Sequence, residues 1–203
     1  MNWLAHLHLS EMTTDFQLGN VMTDALKGQR WPGMSDDFIR GIECHHAIDA
    51  FTDSHPVVDT SKARLKGNPR LRGVAVDVFY DLLLTRNWQH YSAQTMRKFL
   101  EDFYQRALPQ CRSYPPLARE FVESLVESDR LGRYGKMSDI EGAFERIDSR
   151  LSERVLQRGR LVEFMPSLKL HYEHLETDFR NFYPLLQQHV AAKIARRLAT
   201  ISK

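Results

Sequence analysis

Apolar residues recur along this chain at spacings of three and four, and alternating β-branched runs bounded by turns are scarce. That is the helical period rather than the strand period. The pattern predicts an all-α fold, a single-domain multi-helix bundle over residues 1-203. Proline and glycine divide it into elements. A first helix falls within residues 3 to 10. A second runs from about Asp15 to Lys27 and stops at Gly28, before the loop "RWPGMS". Ser35 caps a third, with Asp36 and Asp37 in its first turn, where carboxylates favour the positive helix end. That helix runs to Asp53 or Ser54 and is closed by Pro56. The basic stretch "SKARLKGNPRLRG" reads as a short helix and a loop. Further helices are expected over Val74 to Thr85 and Ala93 to Ala107. Two or three more lie between Leu117 and Leu161, and a long last segment starts after Pro166, with a kink at Pro184.

The third helix carries an unusual load. "GIECHHAIDAFTD", residues 41 to 53, sets His45, His46, Asp49 and Asp53 beside Ile42, Ile48 and Phe51. With His45 at zero on a helical wheel, Phe38, Asp49, Ile42 and Ile48 fall near about 20°, 40°, 60° and −60°. Arg40, Glu43 and Ala47 take the opposite side. His45 and Asp49 therefore sit inside the apolar arc, one turn apart. The bland alternative is a His–Asp pair that satisfies itself at the edge of the core. His46 lies a quarter-turn away, as a boundary residue or a phosphate contact.

"VAVDVFYDLLLTRNW", residues 74 to 88, is apolar around most of its circumference, so it is buried. Asp77 and Asp81 share one stripe of it. A lone buried carboxylate costs several kcal/mol or neutralises itself. Two on one stripe call for a cation, either a divalent metal or histidines from neighbouring helices. The alternatives are an N-cap or a hydrogen bond with Tyr80. "GNVMTDALKG" adds Asp24, four residues after Asn20 and among apolar neighbours. "LAHLHL" adds His6, with His8 on the other face; histidines among leucines are often satisfied core residues. The candidate metal set is His6, Asp24, His45, Asp49, Asp77 and Asp81, with Asp24, Asp49 and Asp81 as candidate catalytic carboxylates. Imidazoles and carboxylates without thiolate suit Mn²⁺, Mg²⁺, Fe²⁺ or Zn²⁺. Helix bundles build such sites from inward-facing side chains. The chemistry such an ion supports is hydrolysis, by polarising a phosphoryl oxygen and acidifying a water.

Composition narrows the remaining classes. The 203 residues are 42% hydrophobic and 27% charged with a net charge of +2, which is ordinary globular material. Two cysteines, Cys44 and Cys111, form no CxxC pair, so neither a disulfide framework nor a cysteine zinc site is expected. No segment approaches the roughly 18 apolar residues that span a bilayer. "MNWLAHLHLSEM" lacks the basic start of a signal peptide. The expectation is a soluble cytoplasmic protein without a membrane partner.

"MNWLAHLHLS", "GNVMTDALKG", "GI-x-x-H-x-x-ID-x-FTD-x-HP" and "DV-x-YD-x-LL-x-x-W" occur here in order, followed late by "LHYEHLETDFRNFYP". The ordered set resembles the acyl carrier protein phosphodiesterase family. The resemblance implies an all-helical, distorted HD-domain-like fold and a divalent metal, most often Mn²⁺. It implies hydrolysis of 4′-phosphopantetheine from the serine of holo-acyl carrier protein. It carries site roles onto His45, Asp49 and Asp53, onto Asp77 and Asp81, and onto Asp24, and His6 matches its N-terminal motif. The chain departs from the pattern at His46, where a basic residue is expected, and at Thr23. It has no adjacent His-Asp dipeptide.

Acyl carrier proteins are acidic, so basic charge near the pocket is expected. Lys62, Arg64, Lys66, Arg70 and Arg72 crowd residues 62 to 72 with no acid among them, and Lys27 and Arg30 follow the second helix. Arg64, Arg70 and Arg72 are the candidate docking residues, with a solvated loop as the plainer alternative. No interleaved aromatic platform argues for nucleic acid. Two other readings stay open: an HD-like phosphohydrolase of nucleotides or other small phosphoesters, and a non-catalytic carrier-protein-binding helical protein.

Overall fold

The computed structural model describes the backbone over residues 1–201 and side-chain surroundings over residues 1–196. All regular structure among the described residues is helical. The helices are α1 (Trp3–His8), α2 (Thr14–Leu26), α3 (Asp36–Asp53), α4 (Pro56–Arg64), α5 (Arg72–Arg86), α6 (Met96–Cys111), α7 (Pro116–Glu127), α8 (Met137–Asp148), α9 (Glu153–Leu156), α10 (Met165–Leu170) and α11 (Tyr172–Ile201). Short 3₁₀ turns sit at Pro69–Leu71, Trp88–His90 and Leu161–Phe164.

One hydrophobic core runs from Met1 to Val190. Its axis is α5, where Ala75, Val76, Phe79, Tyr80, Leu82, Leu83 and Leu84 are all buried. α11 closes over it with Leu175, Phe179, Phe182, Tyr183 and Leu186. The wheel placed Ala47 of α3 outward. It is buried, because α11 packs along that flank and brings Val190 and Ile194 to it.

Local chemistry sets the boundaries. Ser35 caps α3 by accepting from the Phe38 amide at 3.2 Å, and its hydroxyl donates to Asp15 of α2 at 2.6 Å. α2 ends with Lys27 in the left-handed region (φ 48°), followed by Gly28 at φ 80°. Pro56 follows α3 but also opens α4, where its missing N–H is no loss. α6 begins at Met96 because Thr95 caps it, and it continues past the expected Ala107 with Pro109 in its last turn. The last segment is split at His171, and α11 continues through Pro184.

The α2–α3 crossing positions the site. Gly19 and Gly41 lie where the helices meet, and a Cβ on either would collide with the carbonyl oxygen of Phe38 or Phe16. Without side chains at the crossing, the backbones approach closely. The Asn20 carbonyl is thereby brought to the His45 ring.

Candidate metal centre

Asn20 is completely buried and organises the centre. Its amide nitrogen donates to the His6 carbonyl and the Ser10 hydroxyl, both at 2.9 Å. Those bonds fix the amide orientation, so its Oδ1 faces His6 Nδ1 at 2.9 Å as an acceptor. Its backbone carbonyl accepts from His45 Nδ1 at 2.7 Å. One residue therefore holds both imidazoles by Nδ1 and turns both Nε2 atoms inward. The rings stack, with centroids 4.0 Å apart and planes 16° off parallel.

Asp49 receives both Nε2 atoms. His6 Nε2 lies 3.2 Å from Asp49 Oδ1, and His45 Nε2 lies 3.0 Å from Oδ2. His6 Nε2 also faces the Met1 carbonyl at 3.0 Å, and His45 Nε2 faces Asp24 Oδ1 at 3.4 Å. The arrangement is electron-rich. Whichever nitrogen of a neutral His6 carries the proton, the other points at an acceptor oxygen. A neutral His45 with Nδ1–H given to a carbonyl turns a lone pair on two carboxylates. Ligating atoms of His6, His45 and Asp49 all lie within 4.8 Å of one another. The donor set thus fits a divalent cation, with second partners that fix ring orientation as metal-binding histidines require.

Electrostatics without a metal show the same demand. Burial opposes charging His45, but the Asp24 and Asp49 carboxylates that face its Nε2 outweigh it and raise its pKa to about 9, although that nitrogen makes no well-formed hydrogen bond. Burial dominates at the stacked His6 and lowers its pKa. Two imidazolium rings at this separation repel, so only one charges. Burial would raise the Asp49 pKa, but His45, His6 and the Met1 ammonium pull it well below the carboxylate range. The Met1 amino group lies 3.4 Å from Asp49 Oδ1 and 3.2 Å from Asp77 Oδ1.

The remaining expected residues lie at varied distances from this centre. Asp24 is not buried as its apolar neighbours suggested. It sits in the last turn of α2 with its side chain 77% exposed, at the rim, where His45 reaches it. Asp77 is partly exposed and joins the cluster through Met1. Asp81 is fully buried, as the wheel indicated, but it is outside the converging set. Its oxygens accept from the Leu4 and Ala5 amides of α1, at 3.1 and 3.2 Å. It caps a helix whose own N-cap, Asn2, makes no side-chain cap bond. Burial, eased by those two bonds, raises its pKa to about 7. Tyr80 bonds Ser61 at 2.8 Å. Asp53 is exposed and faces Lys62 at 3.5 Å. His8 is a satisfied core histidine, 2.7 Å from the Tyr183 hydroxyl, with its pKa lowered to about 4 by burial.

The docking candidates change as well. Residues 62 to 72 contain no acid, but the fold supplies acids from elsewhere. Arg64 is bound to Asp178 of α11 at 3.1 Å, so it is a structural residue. Lys62 faces Asp53 and Asp59. Arg70 is exposed and Arg72 half-buried. The cleft that opens at Asp24 has a volume of about 360 Å³, and its lining includes Thr23, Lys27, Arg30 and His46.

Sequence reasoning did not find the role of Asn20. Its signal was faint: an amide directly after a glycine and before Val21 and Met22, in a helix that also buries Gln17 and Thr23.

The fold and the centre define a class: an all-helical protein with an inward histidine–carboxylate cluster suited to a divalent ion. The chain belongs to the acyl carrier protein phosphodiesterase family, whose model matches residues 1–186. Relatives named acyl carrier protein phosphodiesterase include those of Pectobacterium atrosepticum (26% identical, 93% of this chain and 96% of theirs) and Serratia proteamaculans (27%, 95% and 99%). A third, from Escherichia coli, is 28% identical over 95% of this chain and 99% of its own. No solved structure matches. No described helix is long and apolar enough to cross a membrane.

Proposed function

We propose that this protein hydrolyses the phosphodiester between 4′-phosphopantetheine and a serine of holo-acyl carrier protein. The products are apo-carrier protein and free 4′-phosphopantetheine. The family supplies the substrate. The observation that carries the chemistry is the convergence of two Nε2 atoms on Asp49, both rings being held by Asn20.

His6, His45 and Asp49 would hold the divalent ion, with Asp77 and Asp24 at its edge. When bound, that ion supplies charge against a phosphoryl oxygen and acidifies a water. The family resemblance points to Mn²⁺, while two imidazoles with carboxylates also suit Fe²⁺ and Zn²⁺, and Mg²⁺ less well.

The chain's own groups divide the rest. Asp24 is exposed to the cleft, and the His45 ring 3.4 Å away keeps its pKa low and the group anionic. It accepts the proton of the attacking water and returns it to the departing serine oxygen. A new bond from water oxygen to phosphorus forms, and the bond from phosphorus to the serine oxygen breaks. Lys27, Arg30 and His46 line the same cleft and receive the phosphoryl oxygens and the acidic surface of the carrier. Arg70 and Arg72 extend that attraction as outlying docking charges. Asp49 orients the two imidazoles, and Asp81 holds α1, and with it His6, in place. A single hydrolase domain over residues 1–203, a distant HD-like relationship and a cytoplasmic location complete the reading.

The test is direct. Holo-carrier protein incubated with the purified protein and Mn²⁺ should lose the mass of the phosphopantetheine arm. Retention of the arm at every divalent ion tried refutes the proposal.

A further inference from the structure

A second concavity lies on the other side of the N-terminal segment from the histidine centre. Asn2 and Trp3, Val78 of α5, the turn after α7 and the outer face of α8 enclose about 280 Å³. Four arginines line it: Arg130, Arg133, Arg146 and Arg150. No acid lines it, although the same stretch of sequence is rich in acids.

Three of those acids are engaged elsewhere. Asp129 accepts from the Tyr104 hydroxyl at 2.7 Å. Asp139 accepts from the Lys136 amide at 2.7 Å. Asp148 accepts from the Leu161 and Val162 amides at 2.8 and 3.2 Å. Arg130 is anchored through Ser124 at 2.6 Å and Ser128 at 3.1 Å, and its guanidinium lies over the Trp3 ring. These partners hold its position without neutralising its charge. Burial and the neighbouring Arg150 and Arg146 lower its pKa, as crowded like charges should. The buried Asn2 amide nitrogen at the same wall, beside the Tyr134 hydroxyl, makes no well-formed hydrogen bond.

Like charges are not gathered around a cavity without cost, and an anion relieves it. Guanidinium forks match the oxygens of a phosphate, and a dianion offsets more of the charge than a carboxylate does. Trp3, Val78, Ala143 and Ile147 give the cavity an apolar wall, and Asn2, Ser128 and Tyr134 add uncharged polar groups. We propose that this cavity is a binding site for a small phosphomonoester bearing an apolar or aromatic group, separate from the His6–His45–Asp49 centre. The inference does not rest on the phosphodiesterase reading.

Calorimetric titration in EDTA at low salt tests it, with inorganic phosphate, phenyl phosphate and benzoate as probes. Phenyl phosphate should bind once per chain, more tightly than inorganic phosphate because of the apolar wall and more tightly than benzoate because of the charge. Its binding should persist in His45→Ala. Arg146→Gln with Arg150→Gln should weaken it by about tenfold or more, since each removes charge-assisted bonds. Should the double variant fail to fold, Arg133→Gln and Arg150→Gln singly carry the same expectation. The proposal is overturned if phenyl phosphate shows no saturable binding at millimolar concentration. It is also overturned if folded arginine variants bind as wild type does, or if His45→Ala abolishes binding. Binding of an acidic protein but not of phenyl phosphate overturns it too.

Discussion

Replacing Asn20 separates positioning of the imidazoles from ligation itself. In Asn20→Ala the backbone carbonyl that anchors His45 remains, but three side-chain bonds go: to His6 Nδ1, the His6 carbonyl and the Ser10 hydroxyl. Ser10 keeps its own bond to the His6 carbonyl at 2.8 Å, so that oxygen is not orphaned. His6 Nδ1 is orphaned in a fully buried site. An unsatisfied buried polar group costs about 1–3 kcal/mol, and the cavity left by the amide adds to that. Stability should therefore fall by about 2–4 kcal/mol on these terms. Loss of the partner that orients a metal-binding histidine weakens metal by about 10–100-fold. Mn²⁺ affinity, read by competition with a chelator, and denaturant unfolding measure the two effects separately. Asn20→Ala protein that binds Mn²⁺ as wild type does would refute the claim that this amide organises the centre. A matching loss in His6→Ala, without further loss in the double variant, would show that Asn20 acts through His6.

Three further outcomes follow from other parts of the structure. The folded-state pKa of His45, about 9, lies above its ordinary value of 6.5, so the charged ring stabilises the metal-free protein fully below about pH 6.5. That contribution, at most about 3 kcal/mol, is lost as pH rises to 9, and the raised Met1 amine adds the same sign above its ordinary value. His45→Gln should flatten this part of the stability profile in EDTA, while Mn²⁺ affinity should rise with pH because binding displaces protons; an unchanged profile in the variant defeats the assignment. Gly19→Ala should cost about 3 kcal/mol or more in chemical denaturation, because its methyl meets backbone rather than a movable side chain, and a loss near zero would mean the crossing is looser than described. Arg64→Ala should lower stability by about 1–2 kcal/mol, because Asp178 loses its ion pair and keeps the Ser61 hydroxyl, and should leave the Michaelis constant for carrier protein unchanged, whereas Arg70→Ala with Arg72→Ala should raise that constant and flatten its salt dependence; the opposite pattern would return Arg64 to the docking surface.

The helices were legible because each buries a stripe, and a stripe is a sequence period. Glycine after α2 and serine before α3 mark their ends for the same local reason in the sequence as in the structure. Where the expectations slipped, tertiary contacts decided. Ala47 is buried because α11, more than a hundred residues later, lies on it. Asp24 is exposed because it occupies the last turn of its helix, where a wheel describes direction but not whether anything packs there. Arg64 looked free within an acid-free stretch, yet Asp178 was waiting on another helix.

Asp81 shows most clearly what a sequence pattern leaves open. A carboxylate among Phe79, Leu82 and Leu84 had to be buried, and it had to have donors. The pattern established that need without distinguishing a metal ion from backbone amides, because a short helix with an unused N-terminus carries no residue-type label. The structure gives the donors as Leu4 and Ala5. That assignment has a functional consequence. α1 is six residues long and too short to be stable alone, yet it carries His6. By fixing the start of α1, Asp81 sets where the His6 ring meets Asp49, so it bears on the centre without joining the converging side chains. The two aspartates of "DVFYD" thus divide their work: Asp77 faces the cluster, and Asp81 holds up the helix that completes it.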